Sequence, residues 1–91
     1  MKQNTQKQTS EDAVAALKKQ SSLVLYNDEV NSFDFVIETL ISLCNHTFEQ
    51  AEQCSIIIHY KGKYAVKTAE YDILNPIYKA MLDRGLTATI E

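Results

Sequence analysis

The chain predicts an α+β domain of two layers, β-α-α-β-α-β in order, with three helices on a three-stranded sheet. The first sign is helical spacing of apolar residues in three separate stretches. The second is a set of short β-favouring runs, Leu23–Tyr26, Lys63–Lys67 and Leu86–Ile90. The third is punctuation by Asx residues and by the two glycines, Gly62 and Gly85.

Residues 1–22 read as a flexible N-terminal extension. Beyond Met1, its apolar residues are confined to Ala13–Leu17, too few to offset the entropy of ordering the arm. The core domain is then 23–91. Leu23-Val24-Leu25-Tyr26 is a strand that ends at the turn formers Asn27-Asp28-Glu29. A helix begins at Asn31 or Ser32, with Asn31 able to cap it and Asp34 as the reciprocal acid. Its apolar stripe is Phe33, Val36, Ile37, Leu40, Ile41 and Cys44. Asn45-His46 breaks it.

Thr47 with Gln50 three residues on is a capping box, which starts a second helix at Phe48. Its far end is open. Ser55–Lys67 fits a hairpin about Gly62, and equally a helix ending at Gly62 followed by a strand. Thr68, with Glu70 in the first turn, opens a third helical pattern through Tyr71, Leu74, Ile77, Tyr78, Met81 and Leu82. Pro76 falls inside it, predicting a kink or a restart at Asn75-Pro76. Gly85 ends this helix, and Leu86–Ile90 alternates as a closing strand.

Composition narrows the function. The 91 residues are 45% apolar and 23% charged, as in an ordinary globular protein. A net charge of −3, with scattered Lys and Arg, argues against nucleic acid. Apolar runs fall far short of the ~20 residues a membrane helix needs, and Met1–Ser10 lacks the apolar core of a secretory signal. A cytoplasmic protein with no membrane partner is expected. Cys44 and Cys54 have no metal-ligand spacing, so both read as small buried residues. Nucleotide, hydrolase and metalloprotease motifs are absent. An enzyme is not expected, and neither is a metal or any other cofactor.

One constellation carries chemistry. Asn27, Asp28 and Asn31 form a polar loop after a strand, and His59 stands near the second helix's end. If the two meet, a carboxylate, an amide and an imidazole face one another. A cationic amine donates three hydrogen bonds and calls for such acceptors. Ile58 and Leu86 would add apolar walls. The same residues also fit an Asx-rich turn beside a structural histidine.

At Leu25-Tyr26-Asn27-Asp28-Glu29, Phe35-Val36-Ile37-Glu38 and Ile58-His59-Tyr60-Lys61-Gly62-Lys63 the chain resembles the ClpS adaptor family. That family shows a strand ending in Asn-Asp-Asp, a Phe-Val-Ile helix start and a Val-His-x-x-Gly-Lys segment, at matching intervals. Thr68-Ala69-Glu70 resembles the start of its third helix, and Leu86–Glu91 its last strand. The resemblance covers about residues 23–91. It implies a helix over Phe48–Tyr60 and a mainly antiparallel sheet with the helices on one side.

It also implies a function: binding the N-terminal residue of a substrate protein, an N-degron, and passing that protein to a ClpA- or ClpC-type AAA+ unfoldase through the unfoldase N-domain. By this resemblance Asn27, Asp28 and His59 hold the terminal amine. Asn31, Phe33, Ser55, Ile58 and Leu86 wall the pocket for a large apolar first side chain. Glu70 and Asn75 face the unfoldase, the arm 1–22 engages it during hand-off, and the adaptor is a monomer. The chain departs from the family at four of these positions. Asn31 replaces a usual Thr, Phe33 and Ser55 replace usual Met residues, and Asn75 replaces a basic residue. The alternative is a modulator that docks on the unfoldase without reading an N-terminus.

Overall fold

A computed structural model describes residues 19–91; of the arm expected at residues 1–22, residues 1–18 lie outside the described residues. The elements are β1 (Gln20–Tyr26), α1 (Phe33–Cys44), α2 (Phe48–Lys61), β2 (Lys63–Glu70), α3 (Tyr71–Asp83) and β3 (Ala88–Ile90). The strands form one antiparallel sheet in the order β2-β1-β3. The architecture is therefore the predicted α+β one.

β1 is the central strand, and its middle is buried at Leu23, Val24 and Leu25. Leu23 and Leu25 join the core with Ile37, Leu40, Leu74 and Met81 from the helices. The register runs from Gln20 opposite Glu70 to Tyr26 opposite Lys63, with one irregularity between Leu23 and Val24. On the other edge Leu23 faces Ile90 and Leu25 faces Ala88.

β1 starts three residues before the expected Leu23, and β2 continues to Glu70 rather than yielding to a helix at Thr68. The two extensions have one cause. Ser21 and Ser22 pair with Ala69 and Thr68, so ladder hydrogen bonds hold a segment whose side chains are too polar to announce a strand. Ser22 also exchanges backbone bonds of 2.7 and 2.8 Å with Glu91. β3 is shorter than expected, beginning at Ala88, although Thr87 already accepts a 2.9 Å bond from the Tyr26 N–H.

Helix boundaries follow capping chemistry. Ser32, not Asn31, caps α1, its hydroxyl accepting from the Phe35 N–H at 3.1 Å. The capping box of α2 is complete. Thr47 accepts from the Gln50 N–H at 3.1 Å, and the Gln50 side chain accepts from the Thr47 N–H at 2.9 Å. The helix runs to Lys61, and Gly62 (φ 93°) turns the chain out of it, donating to the Ile58 carbonyl at 2.8 Å. That excludes the hairpin.

α3 neither breaks nor restarts at Pro76. The ring removes the bond that this position would donate to Asp72, and Leu74 and Met81, both fully buried, hold the helix across it. The two cysteines are free. Burial pushes the Cys44 thiol up to about 11 and raises that of Cys54, so neither is a ready nucleophile. Among the described residues no helix is long and apolar enough to cross a membrane.

Candidate functional site

The loop leaving β1 and the last turns of α2 enclose one hollow of about 500 Å³. It is lined by Tyr26, Asn27, Asp28, Glu29, Asn31, Phe33, Val36, Ser55, Ile58 and His59. Seven of the eight residues expected around a chain terminus therefore meet there. Leu86 is the exception. It is buried in the core at 4% exposure and does not line the hollow. Gly85 (φ 82°) makes the turn before it, and the Leu86 N–H reaches back to the Met81 carbonyl at 3.0 Å, drawing its side chain under α3. Tyr26, Glu29 and Val36 stand in the wall without having been expected. Tyr26 and Glu29 flank the Asn-Asp pair, and Val36 lies one helical turn after Phe33, which is the signal that could have found them.

The loop is organised by Asp28. One carboxylate oxygen accepts from the backbone N–H groups of Val30 (2.9 Å) and Asn31 (2.7 Å). The other accepts from the Asn31 side-chain amide at 2.9 Å. Partial burial raises the carboxyl pKa, but the bonds from Asn31 and Val30 outweigh it and hold the group below its ordinary value. Asp28 is thus a carboxylate at neutral pH. A carboxylate offers about four acceptor sites, and three are used inside the loop, so one is left for an incoming donor.

The Asn31 amide also donates to the Gly85 carbonyl at 3.0 Å, tying the loop to the end of α3. This is why Asn31 does not cap α1. On the other side the Asn27 N–H donates to the Gly62 carbonyl at 2.8 Å. That bond locks the loop against the end of the helix carrying His59. His59 is exposed at the mouth, its ring edge-on to Tyr60 with centroids 5.2 Å apart.

Ser55, Ile58 and His59 share one face of α2, being three and four residues apart. Ser55 and Ile58, each 3% exposed, sit at the inner end; Phe33, 42% exposed, stands at the rim. The hollow therefore has a polar, anionic mouth and a mostly apolar interior. Such a site suits a cationic group attached to a bulky apolar one. Among the described residues no group of three metal-ligating side chains is close enough to hold an ion.

Glu70 and Asn75 lie elsewhere. Glu70 is exposed at the far end of β2, opposite Gln20, and its side chain makes no capping bond to α3. Asn75 accepts a 3.3 Å bond from the Tyr71 hydroxyl. His46 plays a structural part: its Nε2 is 2.9 Å from the Val66 carbonyl, which joins the α1–α2 turn to β2.

Comparison with known proteins points one way. The family model described as ATP-dependent Clp protease adaptor protein ClpS matches residues 16–89. The ATP-dependent Clp protease adapter protein ClpS of Campylobacter jejuni is 36% identical over 55 residues, covering 60% of this chain and 57% of that one. Its counterpart in Acetivibrio thermocellus is also 36% identical over 55 residues, with 60% and 56% covered. The matched stretch thus spans little more than half the length of these curated relatives. Among solved structures, Agrobacterium tumefaciens ClpS2 bound to L-phenylalaninamide superposes with a TM-score of 0.76 at 24% identity, covering 80% of this chain and 95% of that one.

Proposed function

The chain belongs to the ClpS family of ATP-dependent Clp protease adaptor proteins, and from that premise we propose that it is a non-enzymatic adaptor for substrates bearing a free, large hydrophobic N-terminal residue. It grips the terminal α-amine at the mouth of the hollow and the first side chain inside. It delivers the bound protein to the N-domain of a ClpA- or ClpC-type AAA+ unfoldase in the cytoplasm, acting as a monomer.

One observation carries this reading. A charged carboxylate, Asp28, lines the same hollow as Asn27 and His59, with Ile58, Val36 and Phe33 beside them. A free charged amine is what distinguishes a chain terminus from an internal peptide. Asp28 and Asn27 accept from it, and a ring nitrogen of His59 accepts from it or donates to the first carbonyl, according to the tautomer. An acetylated or internal chain leaves these acceptors unpaired at roughly 1–3 kcal/mol each. Burying the first side chain contributes roughly 1.5–3 kcal/mol. Together these bring a micromolar complex, about −8 kcal/mol, within reach. The ligand in the Agrobacterium structure, L-phenylalaninamide, has this same combination of free amine and aromatic side chain.

Calorimetric titration with peptides beginning with phenylalanine or leucine tests the proposal. Micromolar binding is expected, lost on N-acetylation. Equal affinity for the free and acetylated forms would rule it out.

A further inference from the structure

Ser55 is the one hydroxyl at the apolar inner end of the hollow. It is 3% exposed, yet it stands in the wall with Ile58, Val36 and Phe33. Its hydrogen is committed, since Oγ donates to the Ala51 carbonyl one turn back at 2.8 Å. A hydroxyl has two acceptor lone pairs as well as its one hydrogen. Among the described residues no group donates to Ser55 Oγ, so it presents acceptor capacity only.

The position of this acceptor is set by the helix. Ser55 precedes His59 by four residues on the same face, which at 1.5 Å per residue is about 6 Å along the axis. His59 is at the mouth and Ser55 inside. That offset is comparable with the length of a tyrosine side chain from Cα to its hydroxyl. A serine also leaves room here that a longer side chain would fill.

We infer that this site selects aromatic N-terminal residues carrying their own hydrogen-bond donor, tyrosine above phenylalanine, through donation to Ser55 Oγ. The inference rests on the terminal-residue reading above and specifies which side chain that reading accepts. When phenylalanine or leucine enters, the free lone pair of Ser55 Oγ meets no donor. When tyrosine enters, its O–H supplies one. A site built to hydrogen-bond a hydroxyl discriminates against the analogue lacking it because its own polar atom is left unpaired. For one neutral acceptor the expected advantage is about three- to thirtyfold.

The test uses the full chain and four peptides identical beyond the first residue: tyrosine, 4-fluorophenylalanine, phenylalanine and N-acetyltyrosine. The tyrosine peptide should bind about three- to thirtyfold more tightly than the phenylalanine and fluorinated ones. Ser55→Ala should bring it down to the level of the phenylalanine peptide. Should that variant fail to fold, the fluorinated ligand, matched in size but lacking the O–H, decides the matter on the unaltered protein. Equal affinity for tyrosine, fluorinated and plain phenylalanine overturns the selection alone, as does a tyrosine advantage that survives Ser55→Ala. Failure of all three free-amine peptides to bind, or binding of N-acetyltyrosine equal to tyrosine, overturns the terminal-residue reading and this inference with it.

Discussion

The two ends of β1 are held by different means. Where the strand runs out at Tyr26, the loop that follows is fastened by its own polar side chains. Asp28 takes three bonds within it, Asn31 ties it to Gly85, and the Asn27 N–H ties it to Gly62. At the Gln20 end, the neighbouring junction between β2 and α3 has no such device. Glu70 occupies the cap position of α3 without a side-chain bond, and Asp72 follows, exposed, in the first turn. Seven strand residues separate the ends, about 20 Å at 3.3 Å per residue.

The contrast has a functional reading. A loop fixed before its ligand arrives loses little entropy on binding, which suits the capture of one small, defined group. A loosely bonded, exposed corner suits brief contact with a large partner, the unfoldase in our proposal, and keeps docking apart from capture. Each end should then respond to its own substitutions.

The largest effect is expected at the fastened end. Asp28→Ala removes three loop bonds and, in our proposal, the carboxylate that receives the amine. Hydrogen bonds to charged groups are each worth about 1.5–3 kcal/mol, so peptide affinity should fall about ten- to a hundredfold or more by titration. If affinity holds, the loop is mere architecture.

The same carboxylate gives the loop a pH limit. Its pKa in the folded state lies below the ordinary 3.8, so its contribution is complete above that value and is lost as pH falls through the folded-state pKa. Urea midpoints of the natural chain and Asp28→Asn should differ at pH 7 and begin to converge only below about pH 4, meeting once pH has fallen past the lowered folded-state pKa. A gap that persists in acid would assign the loss to packing instead.

Glu70→Lys probes the other end. Unfoldase docking should weaken about two- to fivefold, in line with one exposed charge contact, while peptide affinity stays the same. Coupled losses would dissolve the separation of the two ends. Gly62→Ala is the mildest case. An added Cβ would meet nothing within 4 Å, so only the left-handed backbone (φ 93°) objects, costing roughly 1–2 kcal/mol. The melting temperature should drop, with peptide affinity following only as far as the Asn27–Gly62 bond shifts.

Much of this was legible because local chemistry and tertiary packing agree. Thr47 and Gln50 announce α2 and form the complete box. Gly62 marks its end, and the Asn-Asp turn and His59 line one hollow. What was hidden depended on long-range partners. Asn31 and Ser32 are both good caps, and a bond to Gly85, 54 residues away, decides which is used. Thr68-Ala69-Glu70 suits a helix start, yet pairing with Gln20–Ser22 makes it strand. Pro76 signals a break that the burial of Leu74 and Met81 overrides. Leu86 carries the right apolar character for a pocket wall, but the turn at Gly85 sends it into the core.

The account stands on a cationic chain end being grasped where the β1 loop meets the end of α2. An amide-resolved NMR titration with a phenylalanine-initiated peptide and its acetylated twin reads this directly. Shifts confined to residues 26–36 and 55–62, and seen with the free amine alone, are the predicted result. Shifts elsewhere, or the same shifts from both peptides, would contradict it.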